Sequence, residues 1–125
     1  GFCMILIKEF EFDSAHFLPR YNGKCEVLHG HTYKMVIKLE GYPDSEGMII
    51  DFIELKHIVK KEIVDLLDHT CLNDIFEQPS AENIAIWVWN KLDGLLKREN
   101  CALYEVEIWE TKTSGVVYRG EKLLG

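Results

Sequence analysis

The chain has 125 residues, 47% of them hydrophobic and 28% charged, which suits one globular domain over residues 1–125 with a single core. A formal net charge of −7 counts against nucleic-acid and anionic-membrane partners, whose binding depends on basic surface. No apolar run approaches the ~20 residues of a membrane span, and the first residues lack the basic, apolar and cleavage regions of a secretory signal.

Gly1-Phe2-Cys3 precede Met4 and are set aside as added residues or a different start. From Met4 to His16 the residues alternate. Phe10, Phe12, Ser14 and His16 share one face and Glu9, Glu11 and Asp13 the other, the period of a half-buried strand. Residues 17–28, with Pro19, Asn22 and Gly23, read as a loop long enough to carry function. A second strand over about residues 29–40 places His29, His31, Tyr33, Met35, Ile37 and Leu39 on one side, with Thr32, Lys34, Lys38 and Glu40 on the other. If the two strands pair antiparallel, the end of the first lies beside the start of the second, and His16 meets His29 and His31.

Turn residues fill 41–47. Asp51 then reads as an N-cap, with Glu54 closing a capping box. Phe52, Leu55, Ile58, Val59, Ile63, Leu66 and Leu67 recur at helical spacing to about Asp68. Ser80 is a second N-cap candidate, opening a helix with Ile84, Trp87, Val88, Leu92, Leu95 and Leu96 on its apolar stripe. Trp87 and Trp89 read as core and interface aromatics. A third strand over about 102–110 shows Tyr104, Val106 and Ile108 on one face and Glu105 and Glu107 on the other; a short fourth covers 116–119. The order ββααββ predicts an α+β domain, a four-stranded antiparallel sheet with two helices on one face.

Three histidines with no fourth protein ligand nearby suit a catalytic zinc site, whose open position takes water or substrate. Satisfied histidines at a sheet edge are the plainer alternative. The four cysteines, at 3, 25, 71 and 101, form no C-x-x-C pair and read as reduced thiols of a cytoplasmic protein. Cys25 stands four residues ahead of His29 and reads either as a thiolate, its pKa lowered by Lys24 or a metal, or as an inert buried thiol. Cys3, Cys71 and Cys101 read as inert. Asp68 beside His69 is an arrangement for proton transfer, or else a cationic imidazole at a helix C-terminus. His57 reads as a solvated surface residue. Glu110 falls in phase with the apolar face, where a carboxylate is costly unless paired. It could accept two parallel hydrogen bonds from an N–C–N edge such as a pterin's, or end its strand in water.

Ser14-Ala-His16, Lys24-Cys25-Glu-Val-Leu-His29-Gly-His31, Gly47-Met-Ile-Ile-Asp51-Phe-Ile-Glu-Leu-Lys56, Leu67-Asp68-His69-Thr-Cys-Leu-Asn73, Pro79-Ser-Ala-Glu82-Asn83 and Glu110-Thr follow one another along the chain. In these blocks it resembles the 6-pyruvoyltetrahydropterin synthase superfamily. The short spacer between thiol and His-Gly-His, and Ile-Ile-Asp-Phe before the helix, are most similar to the 6-carboxytetrahydropterin synthase branch of queuosine and other deazapurine biosynthesis. The resemblance implies zinc on His16, His29 and His31, Cys25 as the catalytic thiol, Asp68 and His69 as a proton-transfer pair and Glu110 as the pterin anchor. It also implies the tunnelling fold, a homohexamer of two trimers with active sites between subunits, and 7,8-dihydroneopterin triphosphate as substrate. The expected reaction is that of a carbon–carbon lyase, giving 6-carboxy-5,6,7,8-tetrahydropterin, acetaldehyde and triphosphate. Arg20, Lys24, Lys112 and Arg119 are candidates for the phosphates. A pyruvoyl-forming synthase, a non-catalytic pterin-binding module and a His₃ zinc hydrolase are the rivals. Glu26 beside Cys25 resembles a folate-linked branch that uses Glu in place of the thiol.

Overall fold

The alternation of the first two apolar runs carries directly into a long β-ribbon. In the computed structural model the described residues are 4–16 and 29–120, His29 by its backbone alone. β1 (Met4–His16) and β2 (His29–Gly41) pair antiparallel from Met4↔Gly41 to His16↔His29. Phe12 lies opposite Tyr33, and their rings stack at 5.0 Å with planes 9° apart. That stack sits two residue pairs inward from Ser14↔His31, on the same face.

The chain then crosses the sheet. Asp51 caps α1 (Phe52–Val59) by accepting from the Ile53 N–H at 2.8 Å. Glu54 does not close the expected box; its carboxylate instead accepts from Arg98 Nη2 at 2.8 Å. The helix continues through a π-helical turn (Lys60–Val64) into α2 (Asp65–Leu67). Leu55, Val59, Ile63 and Leu67 explain the turn, because all four are fully buried and spaced by four. A regular helix advances about 100° per residue, so three such steps drift about 120° around the axis. One surplus residue in a wider turn restores their common direction. Ser80 caps α3 (Ala81–Leu92), accepting from the Asn83 N–H at 3.2 Å.

β4 (Cys101–Trp109) pairs antiparallel with β2, and β5 (Gly115–Tyr118) with β4. The sheet has five strands rather than four, in the order β3-β1-β2-β4-β5. The addition, β3 (Thr70–Cys71), runs parallel to β1 at Ser14 and Ala15, and two residues are too short to show any alternation. Phe12, Tyr33, Met35, Ile37 and Leu39 meet Leu55, Val59, Ile63, Ile84, Val88 and Leu92 in one core on the helical side. Phe52, Leu66 and Leu95, expected on the helical stripes, are exposed. Trp89 is buried in that core, and Trp87 packs at its rim against Phe76.

A bulge between Lys38 and Leu39 shifts the β2–β4 register, so Glu105 pairs with Lys38 and Leu103 with Leu39. Tyr104 is the surplus residue. The expected apolar face of Tyr104, Val106 and Ile108 is therefore corrected to Cys101, Leu103, Val106 and Ile108. Glu105, on the same face as Glu107 and opposite Lys38, is buried at 3% exposure, held by Lys38 Nζ at 2.6 Å and Arg119 Nη2 at 3.0 Å.

Candidate active site

The paired ends of β1 and β2 build the site. His16 is buried and His31 half-buried, their rings 5.2 Å apart. The Tyr33 hydroxyl lies 2.8 Å from His16 Nδ1 and fixes that ring from behind. Burial, reinforced by the charge of Glu110, pushes the Tyr33 hydroxyl pKa up, so it stays protonated. In the tautomer whose Nδ1–H donates to that oxygen, Nε2 would keep its lone pair for a metal; in the other, Nε2–H donates towards Glu110.

What it faces is Glu110. This residue follows β4, its N–H donating to the Ser114 carbonyl at 3.0 Å in the turn towards β5. Its Oε1 lies 3.4 Å from His16 Nε2 and 3.1 Å from His31 Nε2. Donor atoms of His16, His31 and Glu110 all fall within 4.8 Å of one another, a group that could hold a metal ion. Two imidazole nitrogens and a carboxylate oxygen, with one imidazole braced at its other nitrogen, fit zinc. Among the described residues the Glu110 carboxylate stands where His16 and His31 converge, beside two of the three histidines expected to hold the metal. Its phase on the apolar face was the available signal. His29 pairs with His16 through the backbone, while its side chain and the whole of Cys25 lie outside the described residues.

Asp68 and His69 come together at the turn after α2. Asp68 Oδ2 is 3.0 Å from His69 Nδ1. The Asp13 N–H donates to Asp68 Oδ1 at 2.9 Å, and the His69 N–H donates to the Asp13 carbonyl at 2.6 Å. The Asp13 N–H, together with the His69 ring, holds the Asp68 carboxyl below the usual carboxylate range. His69 has φ +56°, a left-handed conformation uncommon outside glycine, and its side chain is 79% exposed. The Ser14 hydroxyl donates to the Leu67 carbonyl and ties the same turn to β1.

An open cleft of about 570 Å³ joins the two clusters, lined by Asp13, Gly30, His31, Thr32, His69 and Cys71 among others. Cys71, read as inert, is half-buried on this wall, while Cys101 is buried in the core. His57 is exposed on α1, as expected. Of the phosphate candidates, Arg119 is taken up by Glu105 and lies 5.1 Å over the Tyr104 ring. Lys112 borders a second hollow with Thr32, Lys34 and Trp109; Arg20 and Lys24 lie outside the described residues. No helix among the described residues is long and apolar enough to cross a membrane.

The chain as a whole is similar to known proteins. A 6-carboxy-5,6,7,8-tetrahydropterin synthase of Haemophilus influenzae is 36% identical, over 90% of this chain and 96% of that protein. A 6-pyruvoyl tetrahydrobiopterin synthase of Dictyostelium discoideum is 37% identical, over 94% and 97%. The solved 6-pyruvoyl tetrahydropterin synthase of Caenorhabditis elegans superposes with a TM-score of 0.82 at 28% identity, covering 95% of this chain and 96% of that one. The family model described as 6-pyruvoyl tetrahydropterin synthase matches residues 5–121. The chain therefore belongs to the 6-pyruvoyl tetrahydropterin synthase family, a family of pterin-metabolising enzymes.

Proposed function

We propose that this enzyme converts 7,8-dihydroneopterin triphosphate and one water to 6-carboxy-5,6,7,8-tetrahydropterin, acetaldehyde and triphosphate, as a carbon–carbon lyase serving queuosine or another deazapurine. The observation that carries this reading is the convergence of His16 and His31 Nε2 on Glu110 Oε1, beside a cleft that His69 also lines. Zinc on His16, His29 and His31 would supply Lewis acidity to the side-chain hydroxyls of the substrate. Turning their lone pairs to an ion removes the imidazole N–H donors from Glu110. That carboxylate, about one-third exposed, is then left to accept the two N–H groups of the pterin edge.

The Cys25 thiol moves a proton at the substrate side chain, and Asp68 with His69 exchanges protons on the opposite face. A lowered Asp68 pKa keeps that carboxylate charged and able to hold the imidazole. The working assembly is a cytoplasmic homohexamer of two trimers, with sites completed between subunits. Supporting it, Met4–Asp13 has no strand partner on its outer edge among the described residues, and Met4, Ile5 and Ile7 are exposed there. Such an apolar edge calls for a partner.

The Dictyostelium and Caenorhabditis relatives favour a second reading, a pyruvoyl-forming synthase that eliminates triphosphate without cleaving the side chain. Zinc analysis of the purified protein and product analysis on 7,8-dihydroneopterin triphosphate separate the readings. Stoichiometric zinc and acetaldehyde equal to triphosphate support the first. Triphosphate without acetaldehyde supports the second. Binding without triphosphate release defeats both.

A further inference from the structure

His69 is poorly placed to hold itself still. It is 79% exposed, its backbone is left-handed, and the contact at its ring is with Asp68 at 3.0 Å. A second carboxylate stands beside this pair. Donor atoms of Asp13, Asp68 and His69 all lie within 4.8 Å of one another. Sequence alternation puts Asp13 among the outward acidic residues of β1, which gives it no role beyond solvation. The structure fixes its carboxylate instead, through the Thr32 hydroxyl that donates to Asp13 Oδ1 at 2.6 Å. The register makes this pairing, because Asp13 lies directly opposite Thr32.

We propose that Asp13 is a positioning residue for His69, its carboxylate anchored by Thr32 and acting with Asp68 to confine the imidazole to the cleft. The inference rests on His69 serving in proton transfer, as argued above. A second carboxylate within 4.8 Å of a ring nitrogen adds a further attraction on the imidazole that Asp68 holds, which lowers the orientational cost of each proton transfer. Thr32 follows His31 on the strand and points to the opposite face, so one short run of β2 carries both a candidate metal ligand and the anchor of the proton-transfer pair. The backbone bonds from Asp13 to Asp68 and His69 survive any change of its side chain, so a substitution isolates the carboxylate.

The test uses full-length protein and the natural substrate, comparing Asp13→Asn, Asp13→Glu, Thr32→Val and His69→Ala, with the double variant D13N/H69A. D13N is expected to lower kcat about 10-fold with KM within twofold and zinc content unchanged. D13E restores most of kcat, T32V reproduces part of the loss, and D13N adds nothing in the H69A background. D13N with kcat at the wild-type level while H69A is impaired overturns this inference alone. So does a loss that persists undiminished in the H69A background. Full turnover by H69A overturns both this inference and the role of His69. Should D13N fail to fold, T32V carries the same test, and its wild-type kcat overturns the proposal.

Discussion

Replacing Tyr33 with Phe asks whether the braced imidazole matters for the metal. The ring of residue 33 is 1% exposed and stacked on Phe12, and Phe keeps that stack and nearly all of its buried area. What goes is one hydroxyl, the 2.8 Å partner of His16 Nδ1. Losing one partner of a buried polar contact costs about 1–3 kcal/mol, so the melting temperature falls by several degrees without loss of the fold. The larger effect is expected at the metal. Removing a group that orients a ligating histidine costs about 10–100-fold in affinity, or about 1.4–2.7 kcal/mol. Competition between the apo-protein and a chromophoric chelator of known zinc affinity, at constant pH, reads this directly. If Tyr33→Phe binds zinc as tightly as the parent, the hydroxyl does not set the direction of His16.

Glu110→Gln keeps the size of the side chain but removes its charge; it should retain zinc and raise KM for the pterin about 10–100-fold, since charged hydrogen bonds contribute about 1.5–3 kcal/mol. Loss of zinc in that variant would make Glu110 a ligand rather than an anchor. Lys38→Met leaves buried Glu105 with Arg119 alone and should cost about 3 kcal/mol in urea unfolding; a change below about 0.5 kcal/mol would show the network to be idle. Burial pushes the pKa of Glu107 up, but hydrogen bonds from Lys38 and Trp109 and one shared with Glu105 outweigh this and bring it to about 2, below its ordinary 4.5. Its contribution to stability is thus full above pH 4.5 and drains away as pH falls towards 2; K38M should flatten urea-derived stability across that window.

Much of this was legible because strands announce their faces. The alternation ending in Ser14-Ala-His16, set against His29-Gly-His31, placed two histidines at one sheet corner, and Glu110 betrayed itself by falling among apolar neighbours. What escaped the sequence depends on partners from distant segments. Glu105 is buried because Lys38 and Arg119 close over it, and nothing local to its own strand encodes those partners. The same holds for Asp13, whose significance arises from a turn more than fifty residues later. β3 is too brief to carry a pattern, and the π turn hides within a stripe that reads as ordinary helix.

That wide turn has a practical corollary for the length of the chain. Deleting one of Lys60, Lys61 or Glu62 would leave large aliphatic side chains at spacings of four, three and four, which a regular helix satisfies unaided. The shortened protein should keep its far-ultraviolet helical signal and its cooperative melt, whereas a deletion within Leu55–Val59 should not. Length is negotiable at that one coil of the rod, and a homologue one residue shorter would be expected to have closed its gap there.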